Sequence, residues 1–303
     1  MDDMTRFSVE DVRKVVELET ALASDSFAAT AAPTATLLAG QPGAGKTILS
    51  RTLSARREGN AFLINGDEYR PFHPNYRQLH EAYGSESVSL TSAFSAAVTE
   101  KLISSLSERR MNLIVEGTGR TVDVPSKTAE LLAEKGYTVH MAVIAARPVV
   151  SLLGTLTRFY RMSESGALPR ATAVAAHDEV VGVLPENLDV LCGISQISGI
   201  RIWTRDMEKL YDSAQDHTRP SAVLRAFWSR PWTQREAEDV GEMIERLRQD
   251  EARLRLGQSA GIDEAERRFQ AELAGSRGCL DLDAAAKRLC QADALQPEDE
   301  LEL

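Results

Sequence analysis

Residues 40–47, Gly40-Gln41-Pro42-Gly43-Ala44-Gly45-Lys46-Thr47, match in full the pattern G-x-x-x-x-G-K-[ST]. The context restricts the fold as much as the motif does. An apolar run, Ala35 to Ala39, precedes the loop and reads as a buried strand, and a helix-capable run, Ile48 to Arg57, follows it. Glycines at these positions let successive backbone N–H groups converge on one anion, and the helix N-terminus adds a partial positive charge. Lys46 reaches the β/γ-phosphates of a bound triphosphate, and the Thr47 hydroxyl is placed for Mg²⁺. The alternative is a Gly-rich turn that matches by chance, which the strand before and the helix after disfavour.

Four further apolar runs carry little alternation and read as strands buried on both faces: 61–64, 112–115, 139–145 and 199–203. Helical patterns separate them. Over 90–109, Phe94, Val98, Leu102 and Leu106 recur every fourth residue, and 124–135 forms a shorter helix that Gly136 can cap. A first helix is expected over 8–23, capped by Ser8, with Val12, Val15, Val16 and Leu18 as its apolar positions. Alternation of strand and helix implies an α/β fold, a doubly wound parallel sheet of about five core strands of the P-loop NTPase type. A helical lid and a helical C-terminal extension are expected to accompany it. The expected division is a kinase-type domain over 1–218 and a helical extension over 219–303 with a mostly acidic tail from Pro297.

Ligands of such sheets sit beyond the carboxyl ends of the strands. The second strand ends in Asn65-Gly66-Asp67-Glu68, so Asp67 stands where a kinase needs a carboxylate to take a hydroxyl proton or to orient Mg²⁺. An Asp there can equally cap a turn. The third strand ends in Glu116-Gly117-Thr118-Gly119-Arg120, an acid, a hydroxyl and an arginine on a Gly-rich loop. Arg158, Arg161 and Arg170 follow the fourth strand and suit a basic lid over a transferring phosphoryl group. A solvated basic face is the competing reading, above all for Arg161. Glu100 lies off the apolar stripe of its helix and by itself reads as a solvated charge.

Composition narrows the classes. The net charge of −10 argues against nucleic acid as the main partner. No apolar stretch approaches about 18 residues, so no membrane partner is expected. The N-terminus lacks the layout of a signal peptide, and Cys192, Cys279 and Cys290 are too widely spaced for a disulfide framework or a metal site. A soluble cytoplasmic protein is expected. The five histidines, at 73, 80, 140, 177 and 217, show no ligand spacing and read as structural, and Trp203, Trp228 and Trp232 as packing residues.

Several stretches together are similar to one family: GQPGAGKT (40–47), INGDEYRPFHPNY (64–76), NLIVEGTGRTVDVP (112–125), LGTLTRFYRM (153–162), AHDEVV (176–181), LPENLDVL (184–191) and TRDMEKLYD (204–212). Over roughly residues 5–215 the chain resembles the zeta toxins, the kinase half of the epsilon/zeta toxin–antitoxin systems. The resemblance implies ATP- and Mg²⁺-dependent phosphorylation of UDP-N-acetylglucosamine at the 3′-hydroxyl of its amino sugar, which blocks synthesis of cell-wall precursors. It further implies a small helical antitoxin as partner. It assigns the phosphates to Lys46, the metal to Thr47, the proton-accepting role to Asp67, and the clamp on the transferring phosphate to Arg158 and Arg170. Glu100, Glu116, Thr118 and Arg120 would hold the amino sugar. Two other readings stay open at this point. One is a P-loop kinase for another nucleotide sugar or small molecule. The other is a nucleotide-binding partner protein regulated through its helical tail, which has no need of a base.

Overall fold

The structure is a computed structural model that describes residues 4–275. The acidic tail, Cys279 and Cys290 lie outside the described residues. The chain divides into two compact units at Trp228/Ser229.

The first unit is built on a six-stranded sheet with strand order β2-β3-β1-β4-β5-β6. The strands are β1 (Thr34–Ala39), β2 (Phe62–Asn65), β3 (Leu113–Glu116), β4 (Thr138–Ala145), β5 (Ile197–Thr204) and β6 (Lys209–Asp212). The first five are mutually parallel, as the run of double-faced apolar segments predicts. β6 pairs antiparallel with β5. It is absent from the sequence reading because Lys209-Leu210-Tyr211-Asp212 is short and half polar, as an edge strand can afford to be. β1, the central strand, is buried along its length from Ala35 onward.

Helices cover both faces: α1 (Val9–Ser26), α2 (Lys46–Ala55), α6 (Ser92–Glu108), α7 (Asp123–Glu134), α8 (Pro148–Glu164), α9 (Val174–Cys192) and α10 (Pro220–Ser229). Three short helices, α3 (Gly66–Tyr69), α4 (Tyr76–Tyr83) and α5 (Ser87–Leu90), bridge β2 and α6. Ser8 caps α1 in a reciprocal capping box with Asp11. Of the four apolar positions expected on α1, Val12 and Val15 are buried and Val16 packs partly against the core, but Leu18 is half exposed. Along α6, Phe94, Val98, Leu102 and Leu106 are all fully buried, so the every-fourth-residue stripe is the packing face. Gly136 takes a positive φ after α7, where a side chain would be strained. Leu224 of α10 is also fully buried in the core of this unit, and Ser221 is tied to Asp189 of α9 through its N–H and hydroxyl (3.0 and 2.7 Å).

In the second unit, α11 (Gln234–Leu254) starts with a capping box between Thr233 and Glu236, and a further helix runs over 259–275. Val240, Ile244 and Leu247 are buried on α11, and Trp232 meets Phe269 edge to face at 5.2 Å.

Candidate active site

The loop between β1 and α2 has the backbone its glycines allow. Gly43 and Gly45 both have positive φ (75° and 106°), and Ala44 N–H closes a turn onto the Gln41 carbonyl at 3.1 Å. Gln41 is fully buried and donates its amide to the Ala146 carbonyl at 2.7 Å, tying the loop to the end of β4. Pro42 and Ala44 complete the turn between the glycines. Lys46 is buried; its ammonium donates to the carbonyls of Gly40 (2.8 Å) and Gln41 (3.3 Å) and lies 3.9 Å from Glu116 Oε1. Burial holds the Lys46 pKa below its ordinary value, against the opposing pull of Glu116. Thr47, in the first turn of α2, is exposed.

Asp67 sits on α3, directly beyond β2. Asn65 caps that short helix through the Asp67 N–H (3.1 Å), and Ser95 Oγ of α6 donates to the Gly66 carbonyl at 2.6 Å. Its carboxylate faces three guanidinium groups. Arg70 Nε donates to Oδ1 at 2.9 Å, and Arg158 NH1 lies 3.8 Å from Oδ2. Arg170 donates to the Asp67 backbone carbonyl. Burial raises the carboxyl pKa, but the Arg70 hydrogen bond and the charges of Arg70, Arg170 and Arg158 outweigh burial, so the net shift is downward. Asp67 is therefore an ionised acceptor throughout the neutral range.

Glu116, at the end of β3, behaves in the opposite way. Burial pushes its carboxyl up and the Asp67 charge adds to that, while Lys46 and Arg158 pull it down without reversing the sign. Two carboxylates on one sheet edge thus have their affinities for protons driven apart, which is how a site separates two roles. Glu116 Oε2, Arg158 Nε and Arg170 Nε are buried and have no hydrogen-bond partner among the described residues. Such groups are costly unless a ligand meets them. A glycine cradle, a buried lysine, an exposed Thr47 hydroxyl and this unmet capacity together fit a nucleoside triphosphate with its magnesium ion.

The loop after β3 lies beside the phosphate loop: Gly40 N–H donates to the Thr118 carbonyl at 3.2 Å, and Thr118 Oγ1 accepts from Arg120 N–H at 3.3 Å. Arg120 is more than half exposed and lies 3.7 Å from Glu179 of α9. Glu100 is exposed on α6, one residue past Thr99, whose hydroxyl packs near Gly66; among the described residues Glu100 makes no hydrogen bond or ion pair. Arg158 is on α8 and bonds Thr172 Oγ1 at 3.2 Å, whereas Arg170 lies in the segment between α8 and α9. The structure thus gathers Lys46, Asp67, Glu116, Arg158 and Arg170, sets Thr118 and Arg120 at the margin, and leaves Glu100 exposed with no hydrogen bond or ion pair among the described residues.

Two positioning residues escape the sequence reading. Arg70 is the partner of Asp67 and is itself held by the Val88 carbonyl (2.6 Å) and Thr91 Oγ1 (3.3 Å). The spacing of three residues from Asp67 on a helical turn is the signal that could have found it. Asn187 donates to the carbonyls of both Gly119 and Arg120, at 2.9 Å each, across a separation in sequence that carries no local signal.

The model of the zeta toxin family matches residues 19–216, well over half of the chain. The protein belongs to the zeta toxin family. Toxin PezT of Streptococcus pneumoniae serotype 4 (strain ATCC BAA-334 / TIGR4) is 42% identical over 215 residues, covering 69% of this chain and 84% of that protein. Toxin zeta of Streptococcus agalactiae is 36% identical over 247 residues, covering 81% and 86%. Among solved structures, a chain of the PezAT chromosomal toxin–antitoxin system of the human pathogen Streptococcus pneumoniae superposes with a TM-score of 0.74 at 33% identity. The superposition covers 82% of this chain and 99% of that one. The AvrRxo1-ORF1:-ORF2 complex with ATP shares the fold, with a TM-score of 0.51 at 14% identity and 88% of each chain covered. The likeness to the PezAT chain covers most of this protein's sheet and its phosphate loop, which lie within residues 19–216.

Proposed function

We propose that this zeta toxin family member is an ATP-dependent kinase that phosphorylates the 3′-hydroxyl of the amino sugar of UDP-N-acetylglucosamine, as a toxin held in check by a small antitoxin. The observation that carries the kinase reading is an Asp67 carboxylate kept ionised by Arg70, Arg158 and Arg170 at the same sheet edge as Lys46. A protein that only binds nucleotide has no use for such a base. The names of its relatives, PezT and zeta, and the PezAT system support the toxin and antitoxin parts of the reading.

Asp67 accepts the proton of the acceptor hydroxyl as that oxygen attacks the terminal phosphorus, while the bond from that phosphorus to the bridging oxygen breaks and ADP leaves. Lys46, Arg158 and Arg170 offset the charge that builds on the transferred group. Arg158 touches the Asp67 carboxylate and Arg170 the Asp67 backbone, so base and phosphate clamp are fixed to each other and little reorganisation is needed. Glu116, beside Lys46, and Thr118 and Arg120, on the following loop, are the groups assigned to the amino sugar, with Glu100 joining them from α6. Magnesium held by Thr47 would supply further charge neutralisation at the phosphates.

The test is ATP consumption by the purified protein with UDP-N-acetylglucosamine, with the mass and position of the new phosphate determined. Asp67→Ala is expected to lower kcat by about 10²–10⁴-fold and to leave ATP binding in place. Turnover with other nucleotide sugars but none with this one would overturn the substrate, and an active Asp67→Ala would overturn the base.

A further inference from the structure

One charged group beside the phosphate loop has no role in the mechanism above: the guanidinium of Arg205, in the TRDMEKLYD stretch. Arg205 directly follows β5, in the tight turn that joins β5 to β6. Three hydrogen bonds build that turn. Met207 N–H donates to the Thr204 carbonyl (3.1 Å), Glu208 N–H to Thr204 Oγ1 (3.1 Å), and Thr204 N–H to the Glu208 carbonyl (2.9 Å). Met207 takes a positive φ of 63°, the left-handed step that follows the turn in three-residue hairpin loops. The backbone under Arg205 is therefore firmly set.

The turn places the side chain against the phosphate loop. A methyl group built on Gly45 would lie 3.6 Å from Arg205 Nε and meet no other residue within 4 Å. Arg205 is partly buried, and burial lowers its pKa, with only the adjacent Asp206 opposing. Among the described residues it makes no hydrogen bond or ion pair. Lys46, Arg70, Arg158 and Arg170 each have an acceptor inside the protein, and Arg56 stacks on Trp203 at 4.4 Å. Arg205 is thus a desolvated cation on the rim of the phosphate loop with its donors unspent, and such a group favours an anion or a flat aromatic face.

The strand order decides which part of a ligand it would meet. Asp67, just beyond β2, and Glu116, at the end of β3, lie on one side of β1; Arg205 follows β5, on the other side. The phosphate loop follows β1, between them. A polyphosphate chain with its reacting end toward Asp67 must carry its nucleoside out toward β4 and β5. We infer that Arg205 holds the nucleoside end of the donor nucleotide, with the flat face of its guanidinium against the base, and so sets nucleotide affinity rather than the transfer step.

The inference rests on the nucleotide-donor reading, and the experiment separates the two. Calorimetric binding of ADP and of inorganic tripolyphosphate is measured on the full chain and on Arg205→Ala, with Arg205→Gln and Arg205→Lys alongside. Arg205→Ala is expected to weaken ADP about tenfold and to leave tripolyphosphate within about twofold. Arg205→Lys, which keeps the charge and loses the plane, falls between them. In turnover, KM for ATP rises while kcat and KM for the acceptor hold. Melting temperature identifies a variant that fails to fold, and Arg205→Gln then replaces it. ADP binding unchanged by the substitutions, or tripolyphosphate weakened as much as ADP, would overturn the role of Arg205. A wild-type chain that binds no ADP would overturn the donor reading itself.

Discussion

At the scale of single residues, the proposed base depends on a neighbour that is not part of the motif. Burial drives the Asp67 carboxyl toward its neutral form, and Arg70 is the foremost group opposing it. The sign of a pH effect follows. With Arg70 in place Asp67 loses its proton below its ordinary value, so the acid limb of kcat/KM due to Asp67 lies below about pH 4. Arg70→Met removes a hydrogen bond and a charge that both favour the carboxylate, while desolvation remains. The acid limb is then expected to move to higher pH, leaving a smaller ionised fraction near pH 5 and a lesser loss at pH 8. Rate profiles of the two proteins between about pH 4.5 and 8 check this. A limb that stays in place would mean that Asp67 is not the base, or that Arg70 does not tune it.

The same residues affect stability with the same sign. A carboxylate whose folded pKa is depressed stabilises the fold above its unfolded pKa and loses that contribution as pH falls through the folded value. Asp67→Asn should therefore melt below the wild type at pH 7, with the gap narrowing as pH falls past about 4. Because the carboxylate is over a third exposed, the expected gap is small, about 1 kcal/mol or less. A gap constant with pH would count against an ionised, paired Asp67.

At the scale of elements, the placement of α8 rests on a contact between two glycines. A methyl group on Gly43 would lie 2.0 Å from the Ser151 carbonyl oxygen, and one on Gly154 would lie 2.4 Å from the Gly43 carbonyl oxygen. The phosphate loop and α8 thus touch backbone to backbone. Behind this contact Ser151 is fully buried and hydrogen-bonds His177 Nε2 of α9 at 2.7 Å. Arg158 follows Gly154 by one helical turn, so the contact positions the arginine as well as the helix. Gly154→Ala is expected to cost about 1–3 kcal/mol through overpacking and to lower kcat by displacing Arg158. Gly182→Ala, on α9 with open space around it, is the control and should be neutral or slightly stabilising. Equal melting temperatures for the two variants would refute the close packing.

That contact also marks where the sequence stops being legible. The phosphate loop, the five parallel strands and the positions of Asp67 and Glu116 follow from local pattern, because a glycine spacing and a buried apolar run are written in adjacent residues. The grip of α8 on the loop, the Asn187 bonds to Gly119 and Arg120, and the Ser151–His177 pair join residues that are 26 to more than 100 positions apart. Nothing in their neighbours announces them. β6 escapes local pattern for a different reason: as a short edge strand it pairs on only one side and needs no continuous apolar run.

At the scale of the whole molecule, every group assigned to the reaction, from Gly40 to Arg205, belongs to the unit that ends at Trp228. That unit also contains the last helix its core requires. Leu224 of α10 is fully buried in it, Ser221 is bonded to Asp189, and Arg147 donates to the Trp228 carbonyl at 3.0 Å. A cut after residue 218 would remove these contacts and expose the surface that Leu224 covers, whereas a cut after 228 keeps them. Within the unit from Ser229, Trp232 packs edge to face on Phe269 at 5.2 Å, an apolar contact internal to that unit. A chain ending at Trp228 is therefore expected to fold and to consume ATP with the same acceptor at a kcat within a few-fold of the full chain, while a chain ending at Thr218 is expected to be insoluble or to melt well below it. Thermal melts and turnover on the two truncations decide the matter. An inactive but folded 1–228 chain would place part of the reaction's machinery in the second unit.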